Sequence, residues 1–191
     1  MAASRPVKTL TALFAAMTLG AFVLMLLETA PVRPTAHLAV LAHPPAGAAV
    51  AVRDAAVRIE TSRWRYAVVH AAPAGGRPPA GQCHFLVGPD GQGGWRVTAT
   101  DFWRTQQPGG HISGYWRDAS IGICLIGDFS TRPPAHGQFE ALVDLVNTLQ
   151  ETCGISGDRV YLHRDLLAGS FSPGAAFPVR RFSARLLRPD R

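Results

Sequence analysis

Two histidines stand where they could serve a hydrolytic metal site. His70 and His163 each close a short apolar run, Tyr66 to Val69 and Val160 to Leu162, that is typical of a β-strand. Because backbone pairing fixes where a strand-end side chain points, the two imidazoles could converge on one ion. A hydrolytic zinc site needs three protein ligands and an open position for water. On spacing alone, a histidine with ordinary hydrogen bonds is the commoner outcome at a strand end.

The elements that would position these residues alternate between strands and helices. A helix is predicted after Pro134, because Phe139, Leu142, Val143, Val146 and Leu149 share one face and Gly154 ends the pattern. Ser120 to Gly127 is apolar and uncharged, which predicts a central strand covered on both faces. The pattern predicts an α/β fold with a mixed central β-sheet flanked by helices. The predicted strands are Tyr66 to His70, Cys83 to Val87, Trp95 to Thr100, Ser120 to Gly127 and Val160 to His163.

Six segments, taken in order, carry a resemblance to a known family. They are Val68-Val-His70, Cys83-His-Phe-Leu-Val87, Gly109-Gly-His111, Ser120 to Phe129, His163-Arg-Asp165 and Ser172-Pro-Gly174. The chain from about Trp64 to Pro178 thus resembles the superfamily of N-acetylmuramoyl-L-alanine amidases (amidase type 2) and peptidoglycan recognition proteins. That resemblance implies one zinc ion and a zinc-bound water that attacks the amide between N-acetylmuramic acid and L-alanine.

The resemblance also implies roles for particular residues. His70, His163 and Ser172 occupy the three metal-ligand positions, and the catalytic positions in the cleft fall on Cys83, His84 and His111. Cys124 would be a core residue of the central strand. Separately, Trp103 and Arg104 are candidates for substrate binding, because aromatic and guanidinium groups suit sugar faces and peptide carboxylates; ordinary surface residues are an equal alternative.

Three departures from the family pattern leave the activity open. Ser172 stands where active enzymes have Cys or Asp, and a neutral hydroxyl is a poor zinc ligand. Cys83 replaces a tyrosine expected to stabilise an oxyanion, and it follows His70 by only 13 residues, where active relatives usually have a helix. Cys83 could instead complete a His70–His163–Cys83 site, although a small buried thiol is the simpler interpretation. The alternatives are therefore a zinc amidase and an inactive peptidoglycan-binding module.

The N-terminal region predicts export. An uncharged apolar run, residues 9–27, follows Arg5 and Lys8 and is long enough for a transmembrane signal anchor, with residues 1–8 as a cytoplasmic stub. A cleaved signal peptide is the alternative. Residues 28–59 are predicted as a linker, 60–180 as the domain and 181–191 as a basic tail. This predicts a single-pass protein of the cytoplasmic membrane whose domain faces the periplasm or the exterior.

The positive net charge of the chain limits which classes of binding partner are expected. The chain of 191 residues has a formal net charge of +6 and a pI near 10, which suits an anionic membrane surface or cell-wall polymer. The domain has no Lys/Arg run with interleaved aromatic residues, so nucleic acid is not expected. The expected partners are peptidoglycan or muropeptides, and the membrane. Three cysteines cannot form a fully paired disulfide framework.

Overall fold

The computed structural model describes residues 46–72 and 82–187. The predicted stub, anchor and most of the linker lie outside these residues, as does most of the segment between His70 and Cys83. Within the described ranges, no helix is both long and apolar enough to cross a membrane.

In chain order the elements are α1 (Ala46–Arg53), β1 (Tyr66–Ala72), β2 (Phe85–Pro89), β3 (Trp95–Ala99), α2 (Asp101–Arg104), α3 (Tyr115–Ala119), β4 (Ser120–Ile126), α4 (His136–Cys153), a 3₁₀ turn (Gly157–Arg159), β5 (Val160–Leu162), α5 (His163–Leu166) and α6 (Val179–Ser183).

The five strands form one mixed sheet in the order β3-β2-β4-β1-β5. β4 lies at its centre and pairs in parallel with both β1 and β2, while β1 also pairs in parallel with β5. β2 and β3 form an antiparallel hairpin. The predictions of a mixed α/β sheet and a buried central strand are confirmed. The carboxyl ends of β1, β4 and β5 therefore point the same way, which brings the residues that follow them to one edge.

The two faces of the sheet pack against different sets of buried residues. Ala67 and Val69 of β1, with the odd-numbered residues of β4, pack with α1 and α4 in the main core. The alternate residues face the other side, where Ala72, Cys83 and Cys124 form a small second cluster. His70 lies on this second face, because it pairs in register with Cys124 and strand side chains alternate between faces.

The long helix α4 follows its predicted pattern. Its buried residues include Phe139, Leu142, Val143, Val146 and Leu149, which are the positions expected from the 3.6-residue period. Gly154 ends it in a left-handed conformation with φ 67°, which glycine adopts without steric cost. Both the existence and the end of this helix are thus fixed by local sequence.

The predicted linker is replaced in part by a helix of the domain. α1 lies within residues 28–59, and its Ala48, Ala51 and Val52 are buried in the main core. Two valines of α1 differ sharply in exposure, because Val52 is 2% exposed and Val50 is 64% exposed. The described residues of this range therefore belong to the domain. Small alanines and an interior glycine made the helical period hard to recognise in the sequence.

Part of the predicted basic tail is also folded. Phe182 of α6 is buried, and Arg181 and Arg185 form ion pairs with Glu140 of α4 at 3.0 and 2.8 Å. Residues 181–187 are consequently packed against α4. The remainder of the tail lies outside the described residues.

Candidate functional site

A cavity of about 450 Å³ opens at the edge where β1 and β5 end. Its wall includes the imidazoles of His70, His111 and His163 and the hydroxyl groups of Ser113, Ser170 and Ser172. Volumes of 300–1,000 Å³ or so are usual for small-molecule sites. This cavity is therefore the candidate functional site, and the convergence of His70 and His163 is what the strand-end pattern allowed.

The two predicted metal ligands lie close together. The ring centroids of His70 and His163 are 5.8 Å apart, and their planes meet at 36°. His163 is the first residue of α5, directly after β5, and its Nδ1 lies 2.7 Å from the hydroxyl of Ser170. His70 lies within β1, which continues to Ala72. Two imidazoles at this separation are compatible with a shared ion.

The third ligand position does not fit zinc. The Oγ of Ser172 accepts a hydrogen bond of 2.8 Å from the backbone N–H of Ala71. Its hydroxyl thus fastens the loop before α6 to β1, and it carries no charge to offer a cation. Two imidazoles and one engaged neutral hydroxyl are a weak donor set compared with the three-ligand sites that zinc hydrolases use. The residues present therefore do not fit the zinc ion that the family pattern implies.

Cys83 is not available as a free thiolate. It forms a disulfide with Cys124, so the hypothesis of a His70–His163–Cys83 site does not hold for this structure. Both sulfurs lie against Nε2 of His70, at 3.3 Å for Cys83 and 3.2 Å for Cys124. Cys124 is buried, as predicted for a core residue, but it belongs to the second face. The alternation along β4 was the sequence signal that places it beside His70.

His84 is a buried structural link. Its Nδ1 accepts the N–H of Gly122 at 2.9 Å, and its Nε2 donates to the carbonyl of Gln107 at 2.9 Å. The side chain has no exposed surface and does not line the cavity. Burial lowers its pKa to about 4, so the ring is neutral at pH 7. It ties β4 to the loop before Gly109.

His111 lines the cavity and keeps one nitrogen without a partner. Its Nε2 donates to the hydroxyl of Ser120 at 2.8 Å, because that hydroxyl itself donates to the carbonyl of Trp116. Nδ1 is then a buried acceptor that no described residue satisfies. Burial, followed by the charge of His84, lowers the pKa of His111 to about 3. That nitrogen is buried against Gly109 and Gly122, so it does not face the cavity.

A glycine in the central strand makes room for the ring of His111. A Cβ at Gly122 would come within 2.5 Å of two atoms of that ring, Cγ and Nδ1, which is closer than real contacts allow. Burial, with smaller contributions from His111 and His163, also lowers the pKa of His70 to about 3. The cavity wall therefore includes two neutral imidazoles, those of His70 and His111.

The predicted substrate-binding pair lies elsewhere. Trp103 has no exposed surface, packs against Phe85 in the main core and donates its indole N–H to the carbonyl of Val52 at 2.9 Å. Arg104 forms surface ion pairs with Asp54 and Asp101 at 2.8 and 3.1 Å. Neither residue lines the cavity. The alternative of ordinary structural and surface roles fits both.

Several wall residues carried no signal in the sequence. Ser113, Ser170 and Leu167 line the cavity from loops and from the end of α5. Serine and leucine in loops are too common to single out without the fold. Only their nearness to His111 and His163 along the chain, at two to seven positions, could have pointed to them.

Comparisons with known proteins agree with this geometry. A family model described as N-acetylmuramoyl-L-alanine amidase matches residues 39–175. A peptidoglycan recognition protein of Bombyx mori is 38% identical over 91 residues, which are 47% of this chain and 42% of that protein. The chain therefore spans less than half the length of this relative.

Solved structures share the fold at low identity. An endolysin amidase, LysCS of Clostridium intestinale, superposes with a TM-score of 0.54 at 20% identity, over 68% of this chain and 88% of that one. Peptidoglycan recognition protein LE, solved in complex with tracheal cytotoxin, gives a TM-score of 0.50 at 22% identity, over 66% and 84% of the two chains. At these identities the likeness establishes the fold alone.

Proposed function

Because the chain belongs to the N-acetylmuramoyl-L-alanine amidase family, we propose that it binds peptidoglycan fragments in the cavity at the edge where β1 and β5 end without cleaving them. The observation that carries this proposal is the hydroxyl of Ser172. It stands at the third ligand position and is engaged by the backbone N–H of Ala71. With a neutral hydroxyl at that position, the site has two imidazoles where a zinc hydrolase supplies three strong ligands.

The wall of the cavity suits an uncharged, hydrogen-bonding ligand. Its described residues include no Asp, Glu, Lys or Arg, while imidazoles, hydroxyls and an amide supply donors and acceptors. Leu167 is 47% exposed beside them and offers an apolar surface. Sugar rings and N-acetyl and peptide amide groups combine these two properties, because each pairs an apolar face or methyl with polar groups. Peptidoglycan fragments are built from such groups.

Blocking the cavity tests the proposal. Ser113 is exposed in the wall, so Ser113→Trp fills the cavity without disturbing the core. We expect this change to weaken binding of a soluble muropeptide roughly tenfold or more, measured by titration calorimetry with the full chain. Ser183→Trp, at an exposed site on α6 outside the cavity, is the matched control. Equal affinity in wild type and both variants would place the ligand elsewhere.

A zinc amidase is the second candidate, and one observation favours it. His70 and His163 retain ring centroids 5.8 Å apart in the same cavity. If an ion were held there, it would supply the activation of water. The chain's own residues would contribute the orientation of His163 by Ser170. Release of free peptide from a muropeptide would distinguish this candidate from the binding module.

We also propose that residues 9–27 anchor the chain in the cytoplasmic membrane. The proposal rests on the uncharged apolar run and the Arg5 and Lys8 that precede it. It would place the cavity on the side of the membrane where peptidoglycan lies. Recovery of the full chain in the soluble fraction of lysed cells would contradict it.

A further inference from the structure

One imidazole nitrogen and two cysteine sulfurs, all potential metal ligands, lie close together next to the cavity. Nε2 of His70 and the sulfurs of Cys83 and Cys124 lie within 4.8 Å of one another, and all three residues are buried. His70 comes from β1, Cys124 from β4 and Cys83 from the irregular segment before β2. None of the family's ligand positions except His70 is part of this group. Its chemistry is not used by the proposed binding function.

The separations in this group resemble those across a metal ion. An ion about 2.0 Å from an imidazole nitrogen and about 2.3 Å from a sulfur, in tetrahedral geometry, separates the two ligand atoms by roughly 3.5 Å. Nε2 of His70 lies 3.3 and 3.2 Å from the two sulfurs. These two separations need to change by only a few tenths of an ångström. The two sulfurs alone must part, which requires that the disulfide be reduced.

The backbone permits that change. The Cα atoms of Cys83 and Cys124 are 5.9 Å apart, so side-chain rotation can separate the sulfurs while the strands stay paired. Cys83 precedes β2 in an irregular segment and is not held in the sheet ladder. His70 presents Nε2 to both sulfurs, and a neutral imidazole is the form that binds metals.

The cluster also has a route to solvent. His70 contacts both sulfurs and lines the cavity, and Gln82, the neighbour of Cys83, lines it too. An ion or a small reductant that enters the cavity therefore meets the ring of His70 first. The sulfurs lie directly behind it.

We propose that His70, Cys83 and Cys124 bind one thiophilic metal ion when the cysteine pair is reduced, and that the disulfide is the metal-free form of the same site. A dithiol reduces the pair by thiol–disulfide exchange: it gives two electrons and two protons, becomes a disulfide itself and leaves two thiols. The ion then displaces both thiol protons and accepts two thiolates and the imidazole. One position remains for water or another ligand.

Zinc content of the full chain, before and after reduction, tests this proposal. Reduction uses a water-soluble phosphine, which removes no metal by thiol chelation, and Zn²⁺ alone is then added. We expect about one zinc per chain in the reduced protein and less than about one-tenth as much in the oxidised protein. Substitution by Co²⁺ should give thiolate-to-cobalt absorption in the near ultraviolet, which an all-nitrogen site does not give.

Single variants separate this site from the family's ligand positions. Cys83→Ser and Cys124→Ser should each abolish the cobalt–thiolate band, while Cys153→Ala, at the third cysteine, should retain it. His163→Ala should also retain it, because His163 is not in the cluster. Near-ultraviolet circular dichroism reports whether each protein is folded.

Four results would overturn the proposal. The first is a reduced, folded protein that takes up no zinc. The second is equal uptake by the oxidised and reduced forms, and the third is loss of uptake in His163→Ala. Reduced wild type that loses its near-ultraviolet signal and binds no zinc overturns it as well, because the site would then not exist in a folded chain. None of these results bears on muropeptide binding, which the Ser113→Trp titration tests separately.

Discussion

Ser172 uses its hydroxyl for structure where a metal ligand would be needed. The hydrogen bond from the N–H of Ala71 joins a loop to β1, 101 residues away along the chain. A serine can make that bond without ionising, whereas a cysteine or aspartate at this position would give zinc negative charge as well as an electron pair. The same atom cannot serve both needs well. Under the proposed function, an oxygen in place of a sulfur at residue 172 is what distinguishes binding from hydrolysis.

Replacing that oxygen by sulfur should restore a metal site. We expect Ser172→Cys to raise zinc affinity roughly 100-fold, because a thiolate adds charge and a soft donor to His70 and His163. The measurement is competitive titration against a chelating dye, with Cys83 and Cys124 kept oxidised. Ser172→Ala is the control: it supplies no ligand and costs about 1–2 kcal/mol of stability, because the N–H of Ala71 loses its partner. Unchanged zinc affinity in Ser172→Cys would show that residue 172 does not face the two histidines.

Different strands and helices position different residues of the site. β1 and β4 carry His70 and Cys124 side by side in register, and β5 delivers His163 to the same edge. α1 lies on the other face of the sheet, where it covers the main core and accepts a hydrogen bond from Trp103 at the carbonyl of Val52. That helix supports the sheet from behind the cavity. Its loss would disturb the site without touching any wall residue.

Two valines of α1 provide a matched test of its role. Val52→Asp buries a carboxylate in the main core and should lower the free energy of unfolding by about 3 kcal/mol or more. Val50→Asp places the same group on the exposed side and should change it by less than about 0.5 kcal/mol. Urea unfolding of the full chain measures both. Equal effects would mean that α1 does not pack on the core in solution.

The elements that local pattern determines were predictable. α4 shows a full amphipathic period and a glycine at its end, and Ser120 to Gly127 has the continuous apolar run of a central strand. α1 was missed because its alanines and glycine carry little periodic contrast. What buries its residues is the sheet, which the segment itself does not reveal.

The candidate site was predictable only where motif and position coincide. His70 and His163 close apolar runs, so their convergence followed from the parallel strands. Trp103 and Arg104 share no such constraint, and the structure places one in the core and the other in surface ion pairs. The bond between Cys83 and Cys124 spans 41 residues. The pairing of β2 with β4 brings the segment before β2 close to Cys124, and spacing along the chain does not reveal that pairing.

The molecule as a whole keeps three histidines neutral inside it. His70, His84 and His111 are each less than 8% exposed, and burial is the main reason that their pKa values fall to about 3, 4 and 3. In the unfolded chain, their pKa values return to about 6.5. The unfolded state therefore binds more protons than the folded state below pH 6.5, and stability must decline as the pH falls.

Acid should consequently unfold this protein early. Each of the three histidines contributes about 1.4 kcal/mol per pH unit between pH 6.5 and its folded pKa, so the free energy of unfolding should fall by up to about 4 kcal/mol per unit. Urea unfolding at a series of pH values from 7.5 downward measures the slope. His136→Gln, at a side chain that is 75% exposed, should leave the slope unchanged. A flat stability profile down to pH 4.5 would show that these rings are accessible to protons.

The proposed function predicts that the protein binds a muropeptide without cleaving it. A defined muropeptide, incubated with the full chain and added Zn²⁺ and followed by mass spectrometry, tests this most directly. The predicted result is an intact muropeptide, with the amide between N-acetylmuramic acid and L-alanine unbroken, under conditions where calorimetry shows it bound. Appearance of the free peptide and the free saccharide, at more than one turnover per chain, would contradict the account and make the chain an amidase.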